Sequence, residues 1–89
     1  MKYRSRTDIV SHILDAANGG STKTKIMYKA YLSYAQLKEY LSVLEENGLL
    51  KYEEGEHKYK TTEKGLKFIR VYQHMDNLSG PMMERAGKA

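Results

Sequence analysis

The sequence predicts a mainly α domain with one small β-hairpin, in the order helix, helix, helix, strand, strand, helix. Three observations carry this. Four stretches place apolar residues at helical spacing behind a Ser or Thr able to cap them. Two short runs bearing Leu, Tyr and Thr flank a four-residue turn that contains glycine. The chain has 89 residues with 40% hydrophobic content, which suffices for one modest core but not for a cleft enclosed between domains. One domain is expected over 1–80, with 81–89 as a short tail after the helix-breaking Gly80-Pro81.

Ser5, with Asp8 three residues on, predicts the start of the first helix. Ile9, Val10, Ile13, Leu14 and Ala17 form its apolar face, and Asp8, Ser11, His12 and Asp15 are expected opposite. Asn18-Gly19-Gly20 ends it, and Ser21, Thr22 and Thr24 are alternative caps for a second helix over Lys23 to Ala30. Ile26, Met27 and Ala30 face inward there, leaving Lys23, Lys25, Tyr28 and Lys29 outside. Ser33 and Gln36 form a capping box for the third helix, Leu37, Leu41 and Leu44 make its apolar stripe with Tyr40 beside them, and Gly48 closes it after Asn47. Only Tyr31-Leu32-Ser33 separates the second helix from the third, which predicts a helix-turn-helix whose second member can enter a major groove.

Residues 49–53 and 58–62 then read as a hairpin around Glu54-Gly55-Glu56-His57, a short wing. Thr62 caps the last helix, with Glu63 in its first turn. Leu66, Phe68, Ile69, Val71, Tyr72, Met75 and Leu78 are too many for one contact face. Leu66 and Ile69 suit the body of the domain, while Phe68, Val71, Tyr72, Met75 and Leu78 form a second stripe that calls for a second partner. The expectation is a homodimer built on a helix over about 62–79.

Composition removes several classes of function. With no cysteine there are neither disulfides nor thiolate metal sites. His12, His57 and His74 have no i, i+4 partner or carboxylate spacing that would form a zinc site, and no catalytic Ser- or Gly-rich loop is present, so neither enzyme nor cofactor is expected. No apolar run nears the roughly 20 residues of a membrane helix, and no small-molecule ligand is evident. A soluble, cytoplasmic protein is the expectation.

The net charge of +4 favours a polyanionic partner, and its distribution says more. Residues 1–38 carry seven Lys or Arg against two Asp, 39–56 carry Lys51 against six Glu, and 57–89 carry seven Lys or Arg against three acids. A basic N-terminal surface facing DNA, with the acidic block turned away, accounts for this pattern; solvated faces are the plainer alternative. Lys23, Thr24, Lys25, Tyr28 and Lys29 on the second helix, with Arg4 and Arg6 before the first, are candidates for phosphate contact. Ser33, Tyr34, Gln36 and Lys38 occupy the first turns of the third helix, where side chains reach base edges; Gln36 is first of all the closing member of its capping box. Tyr40, Tyr52, Tyr59 and Tyr72 fall on apolar faces and read as core or interface. Glu53, Glu54 and Glu56 should keep the tip of the wing off DNA, leaving Lys58 and Lys60 on the returning strand to help.

The runs Thr24-Lys25-Ile26-Met27-Tyr28-Lys29-Ala30, Leu32-Ser33-Tyr34, Tyr40-Leu41, Asn47-Gly48-Leu49-Leu50, Tyr59 and Thr62-Glu63-Lys64-Gly65 come in an order that resembles the small archaeal winged-helix DNA-binding family. The resemblance spans roughly residues 4–72, and the ordered series is more specific than any one match. It implies a winged helix that binds double-stranded DNA as a transcriptional regulator or nucleoid-associated chromatin protein, paired through its C-terminal helix. Here that helix reaches only Gly80-Pro81, shorter than the family's long pairing helix. A winged helix that docks a protein partner without touching DNA is the alternative.

Overall fold

A computed structural model gives the structure of residues 5–72. Arg4, Met75, Leu78 and the Gly80-Pro81 break lie outside the described residues. Three helices come first, α1 (Arg6–Ala17), α2 (Lys23–Ala30) and α3 (Tyr34–Glu46), followed by strands β1 (Leu50–Glu53) and β2 (Lys58–Thr61). A fourth helix, α4, opens at 63 and continues through the last described residue, 72.

The helix starts follow from their caps. Ser5 and Asp8 exchange hydrogen bonds as a capping box at α1, and Ser33 and Gln36 do the same at α3. Of the three alternatives for α2, Thr22 is the cap, accepting from the Lys25 N–H at 3.3 Å. Ser21 is instead buried and pairs with Tyr59, each backbone N–H donating to the other's carbonyl at 2.9 and 2.8 Å. The α1–α2 connection is thereby fastened to the free edge of β2.

The core is Ile13, Leu14 and Ala17 of α1, Ile26 and Ala30 of α2, Leu32, then Leu37, Leu41 and Leu44 of α3, with Leu50 and Ile69 closing it from β1 and α4. Each fully buried Leu or Ile contributes about 2 kcal/mol relative to exposure. Ser11, expected on the solvent side of α1, is buried, because it sits one turn before Leu14 and shares that flank. Phe68 is half-buried against the core, and the Tyr72 hydroxyl donates to the Asp8 carboxylate that caps α1. Two members of the expected second stripe of α4 are thus engaged within the protomer, whereas Val71 is 56% exposed.

Two helices end in the same closure with different residues. At α3 the Gly48 N–H donates to Glu45 O and the Leu49 N–H to Leu44 O, with Gly48 at φ +72°. At α2 the Tyr31 N–H donates to Tyr28 O and the Leu32 N–H to Met27 O, and the left-handed residue is Tyr31, at φ 56°. A side chain there costs about 1 kcal/mol relative to glycine. The wing shows the same substitution, since His57 at φ 55°, not Gly55, takes the left-handed position of the turn.

The antiparallel hairpin pairs Leu50 with Thr61, Lys51 with Lys60, Tyr52 with Tyr59 and Glu53 with Lys58. Leu50, Thr61, Tyr52 and Tyr59 share the face turned to the body, and Lys51, Glu53, Lys58 and Lys60 share the other. Thr61 Oγ1 donates to Leu14 O at 2.6 Å in the interior. Tyr52 packs on Tyr59 with ring centroids 4.9 Å apart and planes tilted by 50°, and at 36% exposure it lies outside the core.

The α3–β1 corner and the start of α4 are knitted together. Thr62 Oγ1 donates to Gly48 O at 2.6 Å and accepts from the Gly65 N–H at 3.1 Å, while Lys64 Nζ reaches Asn47 O at 2.8 Å. Gly65 is required by proximity, since a Cβ there would stand 2.5 Å from Leu49 O and 2.6 Å from Thr61 Cγ2. Gly65→Ala should therefore destabilise the fold by about 1–3 kcal/mol despite the helix propensity of alanine, read as a lower urea midpoint at unchanged slope. An unchanged or higher midpoint would mean that α4 does not pack this closely.

Candidate nucleic-acid interface

Residues 16–38 contain four lysines and no carboxylate. The stretch covers the end of α1, all of α2, the turn and the first turns of α3. Neither α2 nor α3 has an acid in its first turn, where helices ordinarily favour one. Lys23, Thr24, Lys25 and Lys29 are exposed on α2, and Ser33, Tyr34, Gln36 and Lys38 are exposed at the start of α3.

The turn brings these two helix starts into contact. Lys23 Nζ lies 3.4 Å from the Tyr34 hydroxyl and 5.2 Å above the ring centroid, so the ammonium meets the phenol by hydrogen bond and by cation–π attraction. A cation and an aromatic hydroxyl stand together where the two helix starts meet. Gln36 is occupied as its spacing indicated, its Oε1 accepting from the Ser33 N–H at 3.0 Å and its own N–H donating to Ser33 Oγ at 3.2 Å.

Tyr59, on the body-facing side of the wing, pairs through its backbone with Ser21, two residues before Lys23. Burial raises the Tyr59 phenol above its ordinary pKa, the Glu45 carboxylate adds to the rise, Lys23 opposes it, and Tyr52 and Tyr34 raise it further. Tyr59 therefore stands among groups from α2, α3 and β1. Lys58 and Lys60 occupy the opposite face, where the Lys58 stem lies over Gly20: a Cβ at Gly20 would meet its Cδ at 3.8 Å. This brings Lys58 beside the turn that precedes Thr22. At the tip, Glu54 and Glu56 are exposed, and His57 Nδ1 is 3.1 Å from the Tyr52 hydroxyl.

Arg6 is placed differently from the lysines. With Val10, Glu39, Tyr40, Ser42 and Val43 it lines an open groove of about 510 Å³ between α1 and α3, which none of the lysines lines. Among the described residues no cluster of His, Asp and Glu side chains could hold a metal ion. No described helix is long and apolar enough to cross a membrane.

Tyr31 gives no functional signal in the sequence. It is 84% exposed between Tyr28, at 70%, and Tyr34, at 53%. The spacing of the three tyrosines is visible in the sequence, but nothing there signals a left-handed backbone at a residue other than glycine or asparagine. The Ser21–Tyr59 pairing was equally silent, being a single bridge and not a strand.

Residues 3–80 match the family model for winged helix-turn-helix domains. The chain belongs to the winged helix-turn-helix family. Its fold is similar to the crystal structure of Sso10a-2, a DNA-binding protein from Sulfolobus solfataricus, with a TM-score of 0.78 over 96% of this chain and 92% of that one, at 24% sequence identity. No curated protein matches the sequence. Within the winged-helix frame, α2 and α3 are the helix-turn-helix, β1 and β2 are the wing, and the acid-free stretch covers α2, the turn and the first turns of α3.

Proposed function

We propose that this winged helix binds double-stranded DNA as a homodimer, with the first turns of α3 in the major groove. The observation that carries the reading is that residues 16–38, with four lysines and no carboxylate, take in α2, the turn and the first turns of α3, the part of the helix-turn-helix that would face a duplex. A protein-docking winged helix has no need of that arrangement, and the description of Sso10a-2 as a DNA-binding protein supports the same reading.

In this account Tyr34 and Lys38, with Ser33 and Gln36 at the helix start, approach base edges and adjoining phosphates. Lys23, Thr24, Lys25, Tyr28 and Lys29 hold the backbone, and Lys58 and Lys60 extend the contact from the wing. Arg4 and Arg6 add positive charge at the N-terminus. The acidic tip stays off the duplex, since carboxylates of Glu54 and Glu56 against phosphate are repelled. The role is that of a transcriptional regulator or chromatin-associated protein of archaeal type, working on the nucleoid in the cytoplasm. Pairing uses the outer side of the C-terminal helix, with Val71 at its described end, Met75 and Leu78 continuing the stripe, and Phe68 and Tyr72 shared with the protomer body.

Duplex binding followed across salt concentrations tests the DNA reading. With about three phosphates neutralised per protomer, log affinity against log salt should have a slope near −5 for the dimer. Lys25→Ala should shallow it by about two, one per protomer, without changing sequence preference. A slope near zero in the parent protein would rule out DNA as the partner.

Sedimentation tests the pairing. Val71→Glu places a charge on the exposed part of the stripe without touching the Tyr72–Asp8 contact, so it should give a folded monomer with its far-UV helix signal retained. A variant that stays dimeric would place the dimer contact elsewhere.

A further inference from the structure

Tyr28, Tyr31 and Tyr34 recur every third residue across the end of α2, the turn and the start of α3, and all three are exposed. The middle one is in the left-handed backbone region at φ 56°, a conformation that glycine or asparagine would take at lower cost. Tyr31 is 84% exposed, so its side chain is open to a partner approaching the turn. A bulky side chain held in a strained backbone at the surface is the kind of outlier that points to a role outside the fold.

We propose that Tyr31 is a DNA-contacting residue, the centre of a tyrosine ridge that lies along the sugar–phosphate strand bordering the groove entered by α3. The inference rests on duplex DNA being the partner, as proposed above. Its surroundings fit that partner: the ridge lies within the acid-free stretch, with Lys29 two residues before Tyr31 and Lys38 one turn beyond Tyr34. Tyr34 already holds Lys23 through its hydroxyl and its ring, so one end of the ridge is joined to a phosphate-binding cation. A phenol suits this position because its hydroxyl donates to a phosphate oxygen while its ring covers the apolar edge of the deoxyribose. Such a contact is not ionic. It adds affinity without releasing a counterion, which separates it from the lysines.

The separation makes the test specific. Tyr31→Gly and Tyr31→Asn both keep the left-handed turn and remove the ring. Each should weaken duplex binding by the dimer about a hundredfold, about tenfold per protomer for the loss of one good hydrogen bond to a charged group with its packing, at an unchanged salt slope. Each should leave the melting temperature unchanged or raised by a few degrees, because strain is relieved. Lys25→Ala in the same assay must shallow the slope, which shows that the assay resolves ionic from non-ionic loss. If both Tyr31 variants bind as the parent does, the ridge makes no contact and this inference falls while the DNA reading stands. A loss of affinity accompanied by a shallower slope or a lower melting temperature also overturns it, since the ring would then act through charge or through the fold. A parent protein that does not bind duplex DNA removes both.

Discussion

The turn at Tyr31-Leu32-Ser33 is the constraint on which the arrangement of this molecule depends. Tyr31 reverses the chain in a left-handed conformation, Leu32 inserts into the core behind it, and Ser33 immediately caps the next helix. Three residues therefore have no freedom to change the angle between α2 and α3. The same geometry sends Leu37, Leu41 and Leu44 inward and brings Lys23 onto Tyr34 on the outside. Packing and candidate interface are two sides of one turn. Elsewhere the chain uses glycine for such closures, as at Gly48, so the tyrosine marks a place where the cheaper residue is not used.

The remaining elements hold that turn in place from behind. The Ser21–Tyr59 bridge and the Thr61 hydrogen bond to Leu14 O fix the wing to α1 and to the start of α2. Thr62, Lys64 and Gly65 clasp the end of α3 from the other side. A two-stranded hairpin alone is marginal, and these attachments make this one part of the body. The charge pattern follows the same division, with the glutamates of 39–56 along α3 and at the wing tip, and the lysines at the helix starts. A field divided in this way orients a polyanion before contact as well as attracting it.

Most of the fold was legible because its signals are local. Caps at Ser5, Ser33 and Thr62, the Leu37–Leu41–Leu44 stripe and the four residues between the strands each announce themselves within a few positions. What escaped depends on partners distant in sequence. Ser21 pairs with Tyr59 rather than capping α2, Ser11 is covered because of what packs beside Leu14, and Gly65 matters because Leu49 O approaches it. The left-handed residues at Tyr31 and His57 were hidden for another reason: tertiary structure imposes a conformation that their side chains do not favour. The lysines of the candidate interface could be read from the helical period, but the meeting of Lys23 with Tyr34 and the separation of Arg6 into the α1–α3 groove could not.

Backbone amide shifts recorded while duplex DNA is titrated into the protein test the central claim most directly, because they report where the ligand sits without altering a residue. The account predicts that the largest changes fall within residues 22–38, centred on Lys23, Tyr31 and Tyr34, with Glu54 and Glu56 at the wing tip and Val10 and Val43 in the α1–α3 groove unmoved. Changes concentrated in that groove or at the acidic tip, with 22–38 unaffected, would contradict it.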